Sequence, residues 1–482
     1  MTHGPVFPCS VWAPLLAWVC ACSPLPTRAA PPGRAGGAEA LSYTVTFVRE
    51  PEPALEVEIL RVHDEAPRRF LFTQPGVVSE VRLQDERGRE RAPVTVTEEG
   101  EVFVPGDTRT LRYVHPLGSR ARGGAGDLFT GIGQGGDWQA AGRSWLLRPY
   151  ALTPGLRARL VVRGADALLP WAPDAGGVYH VAGEDLVDSG FLGLGGRRCT
   201  VEVPGARVEV AVLGRTSRVD DAAVCAWIHQ AATEVLTVRR TFPYPRVTVR
   251  VIPVPRSAEA GRFGLLLWSS PPSLSLLLGQ DVTPDAFQED WVAVHELLHT
   301  THPTFEPATP WLSEGIATYF TEVARARSGR HTPERAWAGL VDGFARGREA
   351  VGPRTMEDVA TRQDSYLGTY WTGALFALHL DVELRRATQG AGGLETVLER
   401  LTAAGSTSSV EGFGRAVDAV AGRPLFQALL ARHWRRPAFA DQGALLKTLG
   451  VVAGAQGVKL ENAPDSRWRE AVVGRRPMPV RK

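Results

Sequence analysis

His295 and His299 stand four residues apart, with Glu296 directly after the first, in the stretch Trp291-Val292-Ala293-Val294-His295-Glu296-Leu297-Leu298-His299. Residues four apart share one face of a helix, so two imidazoles can reach one cation. Glu296 is turned away from that seam but stays beside the metal, where a carboxylate can take a proton from water. After a loop containing Pro303, Pro307 and Pro310, the chain runs Trp311-Leu312-Ser313-Glu314-Gly315-Ile316-Ala317-Thr318-Tyr319-Phe320, a helical pattern with a carboxylate in its first turn. Catalytic zinc takes three protein ligands and keeps one open position, and two histidines with one glutamate are a common set. Glu314 is the best third ligand. Glu306 is a rival in a proline-rich loop that would fix it poorly, and His302 is a second rival. The chemistry of such a set is attack of activated water on a polarised carbonyl. The plain alternative is two histidines capping a core helix.

The pair His-Glu-Leu-Leu-His and Trp-Leu-Ser-Glu-Gly-Ile-Ala-Thr-Tyr-Phe resembles the gluzincin metallopeptidases, which include the aminopeptidase-N and glycyl aminopeptidase families. Further on, Tyr370-Trp371-Thr372-Gly373-Ala374-Leu375 precedes Leu380-Asp381-Val382-Glu383-Leu384-Arg385, which is similar to a segment of the glycyl aminopeptidase family. The resemblance implies that His295, His299 and Glu314 hold Zn2+, that Glu296 is the general base and that Tyr370 stabilises the oxyanion. The metzincin pattern is excluded, because it requires a glycine at position 302 and a histidine at position 305. Three features depart from these families. The 14 residues between His299 and Glu314 make a short loop. The Gly-x-Met-Glu-Asn motif that holds a substrate amine in the aminopeptidase-N family is absent, and the corresponding stretch Gly261-Arg262-Phe263-Gly264 has no carboxylate. Thr372 stands where lysine is usual.

These residues need elements to position them. From Leu41 to about Leu213 the pattern is mostly strand. Tyr43–Val48 and Leu55–Leu60 alternate, and the charged run Asp85–Arg91, with Gly88, reads as a solvated hairpin tip. Short strands with Gly/Pro turns argue for an all-β sandwich. Gly131-Ile132-Gly133-Gln134-Gly135-Gly136 matches a dinucleotide fingerprint by letter only, since it lies in a glycine-rich loop with no strand before it and no helix after. Near Arg215 the character changes. Asp220 or Asp221 can cap a helix to about Arg240, Val247–Val251 and Leu274–Leu278 read as strands, and helices run from Pro284 to about Leu449, with Asp285 as a start for the motif helix. The segment from about Gly457 reads as a polar tail or a short strand. Asp381 and Arg385 make an ordinary helix pair. With the resemblance, the expected architecture is multidomain. It has a leader and linker (1–40), an N-terminal all-β sandwich-like domain (41–214), an α+β thermolysin-like catalytic domain (215–355), a helical C-terminal lobe (356–460) and a tail (461–482).

The chain has 482 residues, 44% hydrophobic and 22% charged, with a formal net charge of +2. That balance gives no electrostatic case for nucleic acid. Val11–Ala21 is an apolar run too short to span a bilayer and fits a signal-peptide core. Val19-Cys20-Ala21-Cys22 looks like a bacterial lipobox, with Cys22 as the lipidated residue, while ordinary cleavage near Ala29-Ala30 is the alternative. An exported protein of the periplasm or cell envelope is the expectation. Cys199 and Cys225 remain after the leader, as a disulfide or as two buried thiols. His63, His115, His180, His229, His331, His379 and His433 carry no chemistry in this reading.

The functional expectation is zinc-dependent hydrolysis of peptide bonds in a peptide or protein substrate, with aminopeptidase action implied by the resemblance. Two alternatives stay open: an inert zinc-binding or partner-binding protein on a peptidase scaffold, and a hydrolase of non-peptide substrates.

Overall fold

The computed structural model describes residues 39–63, 65–118, 127–404, 407–454 and 457–475. The apolar run Val11–Ala21 and Cys22 lie outside the described residues. No helix among the described residues is long and apolar enough to cross a membrane. The chain divides into two compact units. Among the described residues, one takes 39–229 together with Tyr244–Val292, and the other takes Gln230–Pro243 and the chain from Ala293 onward.

The first unit is β-rich. In strand Glu39–Val48 the alternation buries Leu41, Tyr43, Val45 and Phe47, and in Ala54–Arg61 it buries Leu55, Val57 and Ile59. The antiparallel register sets Val45 opposite Val57 and Phe47 opposite Leu55, so one face carries a continuous apolar row. These strands are central in a seven-stranded sheet, ordered Val178–Ala182, Arg157–Arg163, Glu39–Val48, Ala54–Arg61, Thr108–Pro116, Glu80–Asp85, Glu90–Thr95. Its one parallel pair joins Glu39–Val48 to Arg157–Arg163. The charged run is a hairpin tip, with Asp85 Oδ1 accepting from the Arg87 and Arg89 amides at 2.9 Å each.

The glycine-rich stretch is more ordered than its composition suggested. Ile132–Gln134 and Asp137–Ala141 pair as a hairpin turned by Gly135 and Gly136, at φ 63° and 93°. Gly133 lets the Trp138 ring lie against the backbone; a Cβ there would sit 2.5 Å from that ring. The glycines thus serve a turn and a close approach, and the expectation of a loop is corrected.

A five-stranded sheet follows, ordered Arg197–Val203, Ala206–Val212, Arg246–Val254, Ser273–Gly279, Gly261–Leu267. It spans the change of character near Arg215. Ala206–Val212, Arg246–Val254 and Ser273–Gly279 run parallel, and the two outer strands are antiparallel to their neighbours. Between the first two parallel strands lies helix Asp221–Val235, capped by Asp220 Oδ1 accepting from the Ala223 amide at 2.8 Å. Cys199 and Cys225 are joined as a disulfide, tying the outer strand to this helix.

The second unit is helical. Ser365 caps the long helix Tyr366–Ala387 by accepting from the Gly368 amide at 3.1 Å, and Thr355 with Asp358 makes a capping box on Met356–Arg362. The long helix is buried over most of its length, against Pro310–Arg327 and Pro333–Val351. Asp381 and Arg385 are no ordinary surface pair. Asp381 is fully buried; it accepts from the Tyr319 hydroxyl at 2.6 Å, from Arg385 Nη2 at 3.2 Å and from the Leu394 amide at 2.8 Å. Arg385 also reaches Glu395 at 2.9 Å. A buried charge group of this kind is held by mutual pairing, and removing one partner would leave the others uncompensated. Toward the C-terminus, Gly457–Leu460 is a strand. Ser466–Val473, expected as a polar tail, is a helix that buries Trp468, Val472 and Val473. Those three apolar side chains at helical spacing are the reason.

Candidate active site

The motif helix runs Val292–Leu298 and does not start at Asp285. Ala286–Glu289 is a separate turn, and Asp290 Oδ1 accepts from the Val292 amide at 3.1 Å. Trp227 Nε1 donates to the other oxygen of Asp290 at 2.9 Å, which fixes that cap. Ala293, Val294, Leu297 and Leu298 are buried and hold the helix in the core. His299 opens a tighter turn, His299–Thr301, that continues the helix. His295 and His299 are buried with rings 5.0 Å apart and perpendicular.

Helix Pro310–Arg327 begins at its first proline, whose fixed φ and missing N–H suit a first helical position. Glu314 therefore falls in the second turn rather than the first. Glu314 Oε2 lies 3.2 Å from His295 Nε2 and 3.3 Å from His299 Nε2. Ligand-type atoms of His295, His299 and Glu314 all lie within 4.8 Å of one another, and they are the one such group among the described residues.

The close approach of two helices brings the next residue in. Helix Pro310–Arg327 crosses Tyr366–Ala387 at Gly315 and Gly373. A Cβ on Gly373 would sit 1.8 Å from the Trp311 carbonyl oxygen, and one on Gly315 would sit 2.4 Å from Gly373. Backbone meets backbone there, so Glu314 and Tyr370, which flank the crossing, come together. Tyr370 comes within interaction range of Glu314, and its ring stacks on His295 at 5.7 Å and 20°. Tyr366 packs edge-on against it at 6.1 Å.

Electrostatics follow from this packing. Burial pushes the Glu314 carboxyl up, but the charge of His299 and hydrogen bonds from both imidazoles outweigh it and hold the group well below the usual carboxylate range. Burial, with the charges of Glu314 and Glu296, pushes the Tyr370 hydroxyl well above its ordinary value. Tyr370 is thus a fixed donor, with Glu296 close enough to act on it. Glu296 is half-buried.

The rivals are sorted by where the loop goes. His302 Nε2 lies 3.1 Å from His299 Nδ1, on the ring edge away from Glu314, so His302 touches a member of the triad and is not in it. Burial, with His299 beside it, pushes the His302 imidazole down to about 3. Glu306 is outside the group as well; its amide bonds the Ser408 carbonyl at 2.8 Å. The two glycines at the helix crossing and the contact of His302 with His299 were not foreseen. The sequence signal for the first was a glycine in each of two otherwise strong helical patterns.

Zinc fits the triad. Two atoms each about 2.0–2.1 Å from a tetrahedral centre are about 3.3–3.4 Å apart. The two nitrogen–oxygen separations, 3.2 and 3.3 Å, match that edge. Two imidazole nitrogens and one carboxylate oxygen are also the donor set that catalytic zinc takes.

No family model matches the sequence. No curated protein matches it either. Among solved structures, the chain is similar to an aminopeptidase N family protein from Idiomarina loihiensis, at 16% identity and a TM-score of 0.65, over 86% of this chain and 78% of that one. An M1 zinc metallopeptidase from Deinococcus radiodurans aligns at 19% identity and a TM-score of 0.45, over 82% and 92% of the two chains. Native yeast LTA4 hydrolase aligns at 10% and 0.49, over 84% and 71%. The chain shares the fold of the aminopeptidase N family protein, with a β-rich N-terminal part and a helical C-terminal part.

Proposed function

We propose that this chain is a zinc-dependent hydrolase of peptide bonds, with His295, His299 and Glu314 as metal ligands, Glu296 as general base and Tyr370 as oxyanion donor. The observation that carries the proposal is the pair of 3.2 and 3.3 Å separations from one Glu314 oxygen to two imidazole nitrogens. The shared fold supports it. The architecture we propose for the part around the motif is thermolysin-like, on the strength of the motif helix, the glutamate helix and the mixed sheet before them.

His295, His299 and Glu314 would hold a zinc ion, which would supply polarisation of the scissile carbonyl and a lowered pKa for water. Glu296 takes the proton of the attacking water and delivers it to the leaving nitrogen. The Tyr370 hydroxyl, which burial keeps protonated, donates to the carbonyl oxygen as negative charge develops there. The imidazoles and Glu314 keep their geometry throughout, because each is fixed by buried packing.

Amino-terminal cleavage is the specificity we favour, from the family resemblance. We further propose export to the periplasm or cell envelope, with Cys22 as the site of lipid attachment. The apolar run Val11–Ala21 supports it, and so does the Cys199–Cys225 disulfide, a bond that persists in oxidising compartments.

The test is elemental analysis for zinc, followed by turnover of aminoacyl arylamides and N-blocked peptides by the native chain and by Glu296→Gln. One zinc per chain, hydrolysis by the native protein and none by the variant are expected. Full activity in Glu296→Gln, or zinc with no hydrolysis of any substrate, defeats the proposal.

A further inference from the structure

The loop after the motif turns a third histidine back onto the site. The tight turn His299–Thr301 ends at His302, whose backbone is extended at φ −125° and ψ 158°. That change of direction aims the His302 ring at His299. Both of its nitrogens are engaged: Nδ1 lies 2.9 Å from the Pro303 carbonyl oxygen and Nε2 lies 3.1 Å from His299 Nδ1. A carbonyl oxygen only accepts, so His302 Nδ1 carries the hydrogen. Full burial of His302 favours the neutral ring, in which Nε2 offers a lone pair and His299 Nδ1 donates to it. With a metal bound, His299 Nε2 would then present its lone pair to the ion, which is the tautomer a metal requires.

We propose that His302 is a positioning residue that fixes the tautomer and ring orientation of His299 for the metal. A relay from carbonyl through imidazole to imidazole takes the place usually held by a carboxylate or a carbonyl alone. The ring is held rigidly enough for the task. His302 is fully buried and stacks on Phe305 at 5.6 Å and 15°. Phe305 packs edge-on against Phe413 at 5.8 Å. The strand Thr304–Phe305 pairs in parallel with Thr407–Ser408, so the loop is pinned directly after the ring. This relay spans His299, His302 and Pro303, and the proline supplies an acceptor with no competing N–H.

The inference rests on the zinc reading above, and the experiment separates the two. Zinc dissociation constants are measured on the full chain by competition with a chromogenic chelator, for native protein, His302→Leu and His302→Gln. Leucine keeps an apolar contact with Phe305 and removes the acceptor, while glutamine can place an oxygen where Nε2 stood. A loss of about 10–100-fold in zinc affinity is expected for leucine, with glutamine restoring most of it and the metal-free melting temperature of both near native. Native affinity in the leucine variant overturns the inference, as does glutamine binding zinc no better than leucine. Native protein that binds no zinc overturns the zinc reading with it. Should the leucine variant not fold, nitrogen-15 spectra of the zinc-loaded native protein decide. Hydrogens on Nδ1 of both His299 and His302 are expected, and a hydrogen on His302 Nε2 overturns the relay.

Discussion

Replacing Gly373 with alanine tests whether the crossing of two helices sets the geometry of the site. The added methyl would lie 1.8 Å from the Trp311 carbonyl oxygen and 2.8 Å from the Gly315 Cα. An ordinary contact is about 3.5 Å, so the helices must part locally by roughly 1.5–2 Å. Overpacking of this kind costs about 1–3 kcal/mol of stability. The catalytic effect should be larger in proportion. Glu314 and Tyr370 sit on opposite sides of that contact, and a displacement of about 1 Å at reacting groups can cost about 100-fold in rate. The assay measures kcat, zinc affinity and the melting temperature of Gly373→Ala beside the native chain. A fall in kcat of about two orders of magnitude is expected, with weaker zinc binding, since Glu314 moves with its helix. Full kcat together with unchanged zinc affinity would refute the claim that backbone contact at Gly315 and Gly373 positions the site.

Tyr370→Phe keeps the ring stack on His295 and removes only the hydroxyl, so kcat should fall by about 100–1,000-fold while zinc affinity holds; a loss under threefold would take Tyr370 out of the mechanism. Cys225→Ser opens the bond to Cys199, which closes a separation of 26 residues. About 3 kcal/mol of stability should go with it, read as a lower melting temperature that reductant no longer changes. Burial, with the charge of Glu184, pushes the Asp185 carboxyl up to about 7. The folded chain then keeps a proton that the unfolded chain releases above about 4, so this contribution is complete below that pH and is lost as pH rises through 7. Asp185→Asn should therefore raise the melting temperature at pH 8 and change it much less at pH 4, and equal shifts at both would contradict the assignment.

Much of the site was legible because its signal is local. The spacing of His295 and His299 fixes them on one helical face whatever surrounds them, and the run from Trp311 reads as a helix carrying Glu314, although Pro310, read as loop, is its first residue. Alternation in Tyr43–Val48 and Leu55–Leu60 likewise reads as strand without knowing the partner. The errors came where a residue's meaning depends on a distant one. Asp290 rather than Asp285 caps the motif helix, because Trp227 holds its carboxylate in place. Gly133 belongs to a hairpin because Trp138 covers it. Asp381 is a buried hub because Tyr319 and Glu395 come to the same place as Arg385.

The sequence by itself determined the donor types and the two helices that carry them, since these follow from residue chemistry and helical period. Only the tertiary structure decided which acid meets the histidines and where the His302 ring lies. Glu306, His302 and Glu314 all lie within reach of His299 along the chain. The choice among them depends on the direction the loop takes, on the pairing of Thr304–Phe305 with Thr407–Ser408, and on two glycines that let backbones touch more than fifty residues apart. Contacts between distant segments are set by packing of the whole chain, and no local pattern records them.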